Sequence, residues 1–148
     1  MIDRASRNAL AEAIRALAAG VISNFEFEKR VPLQSPDPAI DALFSGGAWF
    51  LYSDLSEYRL IDKHRLPRAA TSEIARWVLF LRTDLPYEWP TIAGPRRILM
   101  GVLGVTTLGF SSWLYRRSFR RLGDFEVWPF VRRSDFNEAL ACPAYLRP

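Results

Sequence analysis

The sequence is poor in the residues on which most enzyme and metal sites depend. Its 148 residues include one cysteine, Cys142, and one histidine, His64. A lone cysteine excludes an intramolecular disulfide and a zinc site built from several of the chain's own thiolates, and a lone histidine excludes a histidine cluster. The glycines between residues 98 and 115 lack the spacing and the lysine of a phosphate-binding loop. We therefore predict a non-enzymatic protein that has no cofactor and no metal site.

Two further absences bear on where the protein works. No apolar run of the signal-peptide kind follows the first residues, and a single thiol is typical of a reducing compartment. We therefore expect a cytoplasmic protein, with the inner face of the membrane as an alternative. The chain shows no internal repeat, and its 49% apolar and 24% charged residues are typical of a globular protein. Residues 1–148 are predicted to form a single domain.

Positive charge is concentrated in the last third of the chain. Residues 1–90 contain 11 Lys and Arg against 12 Asp and Glu, whereas residues 91–148 contain 9 against 4. Arginine pairs there alternate with aromatic residues, as in grooves that bind single-stranded nucleic acid and on faces that meet anionic lipid. A solvated arginine-rich face is the simpler explanation of the same charges. The residues predicted to bind a partner are Trp113, Arg116, Arg117, Arg120, Arg121 and Trp128.

An uncharged segment of 18 residues, 98–115, lies between two arginine pairs. It has about the length that a membrane-spanning helix needs, roughly 18–20 residues. Three glycines lower its helical propensity, and its serine and threonine residues lower its hydrophobicity. We therefore predict a soluble or peripheral protein, and we keep a single membrane span as the alternative.

Apolar residues that recur at helical spacing predict a mainly α-helical, compact single domain. A first helix is expected over residues 3–28, with a weak point at Gly20. Beyond that point, Ser23 can cap a second short helix with Glu26 at the third helical position. The buried stripe predicted for the first helix consists of Leu10, Ile14, Leu17 and Val21.

A second long helix is expected to begin near Asp37 and to continue to Tyr58, with a break or a close contact at Gly46-Gly47. A third helix is predicted to begin at a cap formed by Thr71 or Ser72 and to end at Pro86. This third helix should lie centrally in the core. Its predicted buried residues are Ile74, Trp77, Val78, Leu79, Phe80, Leu81 and Leu85.

The end of the chain carries weaker patterns. Apolar residues alternate over residues 124–130, which favours a short strand. Ser134 can cap a last helix that turns Phe136 and Leu140 inward. The predicted class is therefore mainly α, with an α+β fold containing one short C-terminal strand pair as the alternative.

Four carboxylates offer the best acidic cluster in the sequence. Asp54 and Glu57 are expected on one face of the second helix, and Asp84 and Glu88 at the end of the third. If these pairs met, they could bind a metal ion or serve as acid and base in a hydrolase. Salt bridges to Arg59, Arg76 and Arg82 are the simpler expectation.

Three segments, 49–55, 75–90 and 123–130, resemble an uncharacterised family of small bacterial proteins. The run 20–30 is also similar to the turn of short bacterial helical-hairpin modules of the SHOCT type. The first resemblance implies a bacterial origin and carries no activity or site residue. The second implies an element for packing or oligomerisation.

These observations favour one functional hypothesis over two others. The first is a macromolecule-binding or regulatory module, of the kind that neutralises or controls a protein partner through its basic, aromatic last third. A membrane-associated accessory protein that uses residues 98–115 is the alternative. An enzyme built on the four carboxylates is the second alternative, and nucleic acid is a less favoured partner than protein.

Overall fold

The computed structural model describes residues 1–89 and 123–143, which contain five α-helices. The helices are α1 (Arg4–Ala18), α2 (Asn24–Arg30), α3 (Pro38–Gly46), α4 (Arg68–Leu81) and α5 (Arg133–Ala141). Short 3-10 helices span Ala48–Leu51, Asp62–His64 and Phe125–Val127. The prediction of a mainly α-helical fold is confirmed. The uncharged segment 98–115, for which a membrane span was the alternative, lies outside the described residues.

The boundary between α1 and α2 follows the sequence signals. Gly20 has a positive φ of 67°, which glycine adopts without steric cost, so the chain turns there. Ser23 then forms the predicted capping box with Glu26: its hydroxyl accepts from the Glu26 N–H, and the Glu26 carboxylate accepts from the Ser23 N–H. The inward position predicted for Val21 is wrong, because α1 ends at Ala18 and Val21 follows the turn, where it is exposed.

Helix α3 begins as predicted after Asp37, whose carboxylate accepts from the Ala39 N–H at 3.0 Å. Its predicted continuation to Tyr58 is wrong, because the chain leaves the helix at Gly47. A Cβ at Gly47 would lie 2.9 Å from the Leu43 carbonyl oxygen and 3.2 Å from the Trp77 ring. The break and the close contact expected at this glycine are therefore both present, and Asp54 lies in a loop.

Helix α4 provides the centre of the core, as its apolar spacing predicted. Ile74, Trp77, Leu79, Phe80 and Leu81 are all buried, and Val78 and Leu85 are partly buried against them. The predicted ends are wrong by several residues. The helix begins at Arg68 after Pro67, without a side-chain cap, and ends at Leu81 rather than at Pro86.

The C-terminal predictions need two corrections. Residues 124–130 form no strand, because the Asp124 carboxylate accepts from the Glu126 N–H at 3.0 Å and turns the chain into a 3-10 helix. Helix α5 begins at Arg133, so Ser134 is not its cap, and Leu140 is exposed. Phe136 packs inward as expected, with its ring 5.4 Å from that of Phe130.

Helix α1 packs mainly on α4 and also contacts α2 and α3, while α5 contacts α4. A buried ion pair joins three of these elements. Arg7 Nε on α1 donates to Asp37 Oδ2 at 2.6 Å, and both side chains are almost fully buried. The Arg7 guanidinium also donates to the carbonyls of Thr83 and Leu85, just beyond α4. This pair fixes α1 against the start of α3 and the end of α4.

A buried asparagine holds the long connection between α3 and α4. Asn24 Nδ2 donates to the carbonyls of Ser53 and Ser56, at 2.8 Å each, and Asn24 Oδ1 accepts from the Tyr58 N–H at 2.9 Å. Every hydrogen-bonding group of the Asn24 amide is thus used. The loop that carries Asp54 is therefore tied to the first residue of α2.

Candidate functional site

An aromatic groove lies between α2, α3 and the 3-10 helix Ala48–Leu51. Its volume is about 720 Å³, within the usual range of ligand-binding clefts. Phe25, Glu28 and Lys29 follow one another at helical spacing, which places them on one face of α2. The residues that line the aromatic groove are Phe25, Glu28, Lys29, Leu33, Phe44, Trp49 and Asp54.

The aromatic groove is the outer end of a chain of rings that starts in the core. The fully buried Phe27 ring lies 6.1 Å from Phe44 and 5.9 Å from Tyr52. Trp49 then contacts both, at 5.6 Å from Phe44 and 5.9 Å from Tyr52. Tilted and edge-to-face contacts of this kind stabilise ring orientation beyond simple burial. Trp49 is thus 40% exposed to solvent, although its ring packs against Phe44 and Tyr52.

Phe50, next to Trp49 in the chain, adds to the apolar surface that Leu33 forms in the aromatic groove. Phe50 is 77% exposed and Leu33 is 55% exposed. The 3-10 helix presents Phe50 to solvent next to Trp49, and its backbone N–H donates to the Gly47 carbonyl at 3.1 Å. Several large exposed apolar side chains close together mark an interaction surface, whereas single ones are ordinary.

Two carboxylates give the aromatic groove a negative character. Burial raises the pKa of the Tyr52 phenol, and the nearby carboxylates of Glu28 and Asp54 raise this pKa further. Tyr52 therefore stays protonated, while both acids bring negative charge close to its ring. The Tyr52 hydroxyl and Glu28 Oε1 are both buried, and a side-chain hydrogen bond with Glu28 is one cause of the raised pKa of Tyr52.

Of the six residues predicted to bind a partner, Trp113, Arg116, Arg117, Arg120 and Arg121 lie outside the described residues. Trp128 is described and is partly buried, with its ring 5.9 Å from that of Trp77. Its indole N–H donates to the Tyr87 hydroxyl at 3.3 Å, and its carbonyl accepts from Arg76 Nε at 2.7 Å. Its partner-binding role stays a prediction.

The four predicted acids occupy separate surroundings. Asp54 lines the aromatic groove, whereas Glu57 accepts from the Ser23 hydroxyl at 2.5 Å. Asp84 pairs with Arg4 and borders a smaller groove of about 190 Å³, and Glu88 is exposed beyond the end of α4. The predicted helical face shared by Asp54 and Glu57 is wrong, because α3 ends at Gly46.

The predicted salt-bridge partners of these acids differ from those observed. Arg82 pairs with Glu12 on α1, and Arg76 donates to the carbonyl of Trp128. Among the described residues, no three His, Cys, Asp or Glu side chains are grouped so that they could hold a metal ion.

The single histidine and the single cysteine are both on the surface. His64 is exposed and lies against Tyr58, with ring centroids 4.2 Å apart. Cys142 is exposed at the end of α5, beside Asp135 and Glu138. Within the described part of the chain, no helix combines the length and the apolar character needed to cross a membrane.

The sequence reasoning missed the aromatic groove. It expected the second helix to continue past Gly46-Gly47 to Tyr58, and it identified neither Trp49 nor Phe50 as an exposed residue. The signal for their exposure was the Gly46-Gly47 pair, which ends α3 and rotates the following residues away from the stripe. A second signal was the concentration of aromatic residues in the segment from Trp49 to Tyr52.

Comparison of the chain with protein-family models, with curated proteins and with solved structures gave no significant match. The resemblances seen in segments 49–55, 75–90 and 123–130, and in the turn at 20–30, stay predictions.

Proposed function

We propose that this protein is a non-enzymatic protein-binding module, and that the aromatic groove together with Phe50 is its docking surface. The observation that carries the proposal is the setting of Trp49 and Phe50. Both are large, solvent-accessible aromatic side chains, and the backbone beneath them is hydrogen-bonded and packed on the core. Binding energy at protein interfaces is concentrated in such aromatic anchors.

The boundary of the surface also supports this proposal. The aromatic groove combines apolar and charged side chains. Its apolar part includes Leu33 and Phe44, and its charged residues are Glu28, Lys29 and Asp54. Protein interfaces commonly combine an apolar centre with a polar rim. The hypothesis keeps the predicted partner-binding residues as a second contact region: Trp113, Arg116, Arg117, Arg120, Arg121 and Trp128. The single cysteine favours a cytoplasmic partner.

A photo-crosslinking experiment tests the proposal. The photoreactive amino acid p-benzoylphenylalanine is placed at Phe50 in one sample and at Leu140 in another. Leu140 is also exposed, on α5, which does not line the aromatic groove. In native host cells we expect a discrete protein adduct from position 50, its loss when Trp49→Ala is added, and no such adduct from position 140.

The captured protein is then purified and its affinity is measured directly. Phe50→Ser should weaken binding at least about tenfold, the size expected of an interface anchor. Leu140→Ser is the matched control and should leave the affinity unchanged. The same adducts from both positions, or equal affinities of the two variants, would overturn the proposal.

A further inference from the structure

The charges of the aromatic groove are unbalanced, which bears on the chemistry of its partner. Glu28 and Asp54 contribute two negative charges, and Lys29 contributes one positive charge. Neither of these carboxylates forms an ion pair with another described residue. The aromatic groove therefore has an excess of one negative charge, and neither of its carboxylates is ion-paired within the described part of the chain.

The rings add to this negative character. The face of an aromatic ring carries partial negative charge and attracts a cation. Trp49, Phe44 and Phe25 line the same groove as the two acids. Trp49 is the ring type that binds cations best, and its exposed part is open to a ligand.

The two acids are held in place by different parts of the fold. Glu28 lies on α2 next to Tyr52, with Oε1 buried. Asp54 lies in the loop whose carbonyls at Ser53 and Ser56 accept from Asn24. Asn24 thus acts as a positioning residue for Asp54.

Because Trp49 and the two carboxylates line the same groove, we propose that the aromatic groove binds an arginine side chain of the partner protein. The guanidinium would stack on Trp49 and pair with Glu28 and Asp54. A guanidinium fits better than an ammonium because it is planar, weakly hydrated and able to stack while it donates to carboxylates. Its aliphatic stem would lie along Leu33 and Phe44. This inference rests on the proposed function, since it names the chemistry of the partner at the same surface.

Small probes test the inference with the intact protein. Butylguanidinium is titrated while the ¹H–¹⁵N resonance of the Trp49 indole is followed, and butylurea serves as an uncharged probe of the same shape. We expect saturable shifts with butylguanidinium and binding of butylurea weaker by at least about fivefold. Equal binding of the two probes would overturn the inference.

Variants identify the groups responsible. Glu28→Gln and Asp54→Asn should each weaken butylguanidinium binding about three- to fivefold, as expected for partly exposed charge pairs. Asp84→Asn is the matched control, because Asp84 is an exposed carboxylate outside the aromatic groove, and it should have no effect. Unchanged binding by the Glu28→Gln/Asp54→Asn double variant, with an unchanged melting temperature, would also overturn the inference.

The two proposals fail in different ways. If the crosslinked partner binds the double variant as tightly as the original protein, with no change in salt dependence, its contact is purely apolar. The arginine inference is then wrong and the docking surface stands. If position 50 yields no specific adduct although butylguanidinium binds, the docking proposal is wrong while the cation site itself is real. Concentration-dependent dimers driven by Trp49 in analytical ultracentrifugation would identify a second copy as the occupant and overturn the inference of a separate partner.

Discussion

Two tryptophans, Trp77 and Trp49, lie near Gly47, but one is buried and the other is exposed. The Trp77 ring lies against Gly47 from the core side and is 4% exposed, whereas Trp49 follows Gly47 by two residues and is 40% exposed. Trp77 belongs to a regular helix that packs mainly on α1. Trp49 belongs to a single turn that the end of α3 directs outward. Both residues are tryptophan, so residue type does not explain the difference. The end of α3 at Gly46 explains it, because Trp49 lies beyond this backbone break and Trp77 lies within a regular helix.

The largest expected loss of stability comes from truncating Trp77, and the same truncation of Trp49 should have a smaller effect. Trp77→Ala should lower the free energy of unfolding by about 3–5 kcal/mol, because it leaves a cavity between α4, Gly47 and Trp128. Trp49→Ala should cost less than half as much, since part of its ring already contacts water. Urea denaturation followed by circular dichroism measures both. Equal losses would show that the two rings do not differ in their contribution to the core.

The matched substitution Trp77→Phe refines this test. It keeps most of the ring and removes the indole N–H, which is buried and has no hydrogen-bond partner among the described residues. Its cost should therefore be clearly smaller than that of Trp77→Ala. A cost as large as that of Trp77→Ala would mean that the indole N–H does find a partner.

Loss of the buried ion pair should lower stability far more than loss of an exposed carboxylate. Asp37→Asn leaves Arg7 charged and buried without its counter-ion, which should cost about 3–5 kcal/mol at pH 7. The exposed Asp41→Asn, on the same helix, is the control and should cost less than about 0.5 kcal/mol. Comparison of the two variants by urea denaturation gives this difference directly.

The pH dependence gives a second signature of the same pair. Burial opposes ionisation of Asp37, but hydrogen bonds from Arg7 and from the backbone N–H groups of Asp3 and Ala39 outweigh it and lower the pKa of this carboxyl. A lowered folded-state pKa contributes stability above the unfolded value, and this is lost as pH falls through the folded value. The stability gap between the original protein and Asp37→Asn should therefore narrow below about pH 4. A constant gap from pH 7 to pH 3 would contradict this.

A smaller effect is expected at the boundary of α2. Ser23→Ala removes the cap that accepts from the Glu26 N–H at 3.1 Å and the hydroxyl that donates to Glu57 at 2.5 Å. It should lower the free energy of unfolding by about 1 kcal/mol. Ser45→Ala, which removes an exposed contact with Asp41, is the control. Thermal unfolding distinguishes them, and equal melting temperatures would mean that the cap contributes little.

The smallest effect on stability is expected at the docking surface. Phe50→Ser should change the free energy of unfolding by less than about 0.5 kcal/mol, because the side chain is 77% exposed. The same variant is expected to lose partner binding. A large loss of stability would mean that Phe50 is a packing residue, which would remove the contrast between core and surface.

Local and regular features could be predicted from the sequence. The stripe of Ile74, Trp77 and Leu81 and the capping box of Ser23 and Glu26 depend on spacings of a few residues, and both are confirmed. The sequence marked a break or a close contact at Gly46-Gly47, but it could not identify the contact itself, because the Trp77 ring that packs on Gly47 lies 30 positions along the chain. The position of Asp54 likewise depends on Asn24, through hydrogen bonds that no local pattern reveals.

The contact between Gly47 and Trp77 also bears on the entropy of binding. A single 3-10 turn at a protein surface would ordinarily fray, and ordering a mobile side chain on association costs about 0.5–1.5 kcal/mol. Here the turn from Ala48 to Leu51 starts on a glycine seated against a core ring, and the Ala48 side chain is fully buried. Phe50 therefore projects from a turn whose first residues are packed on the core. A ligand that lands on this turn would meet a surface whose backbone freedom was already lost when the protein folded.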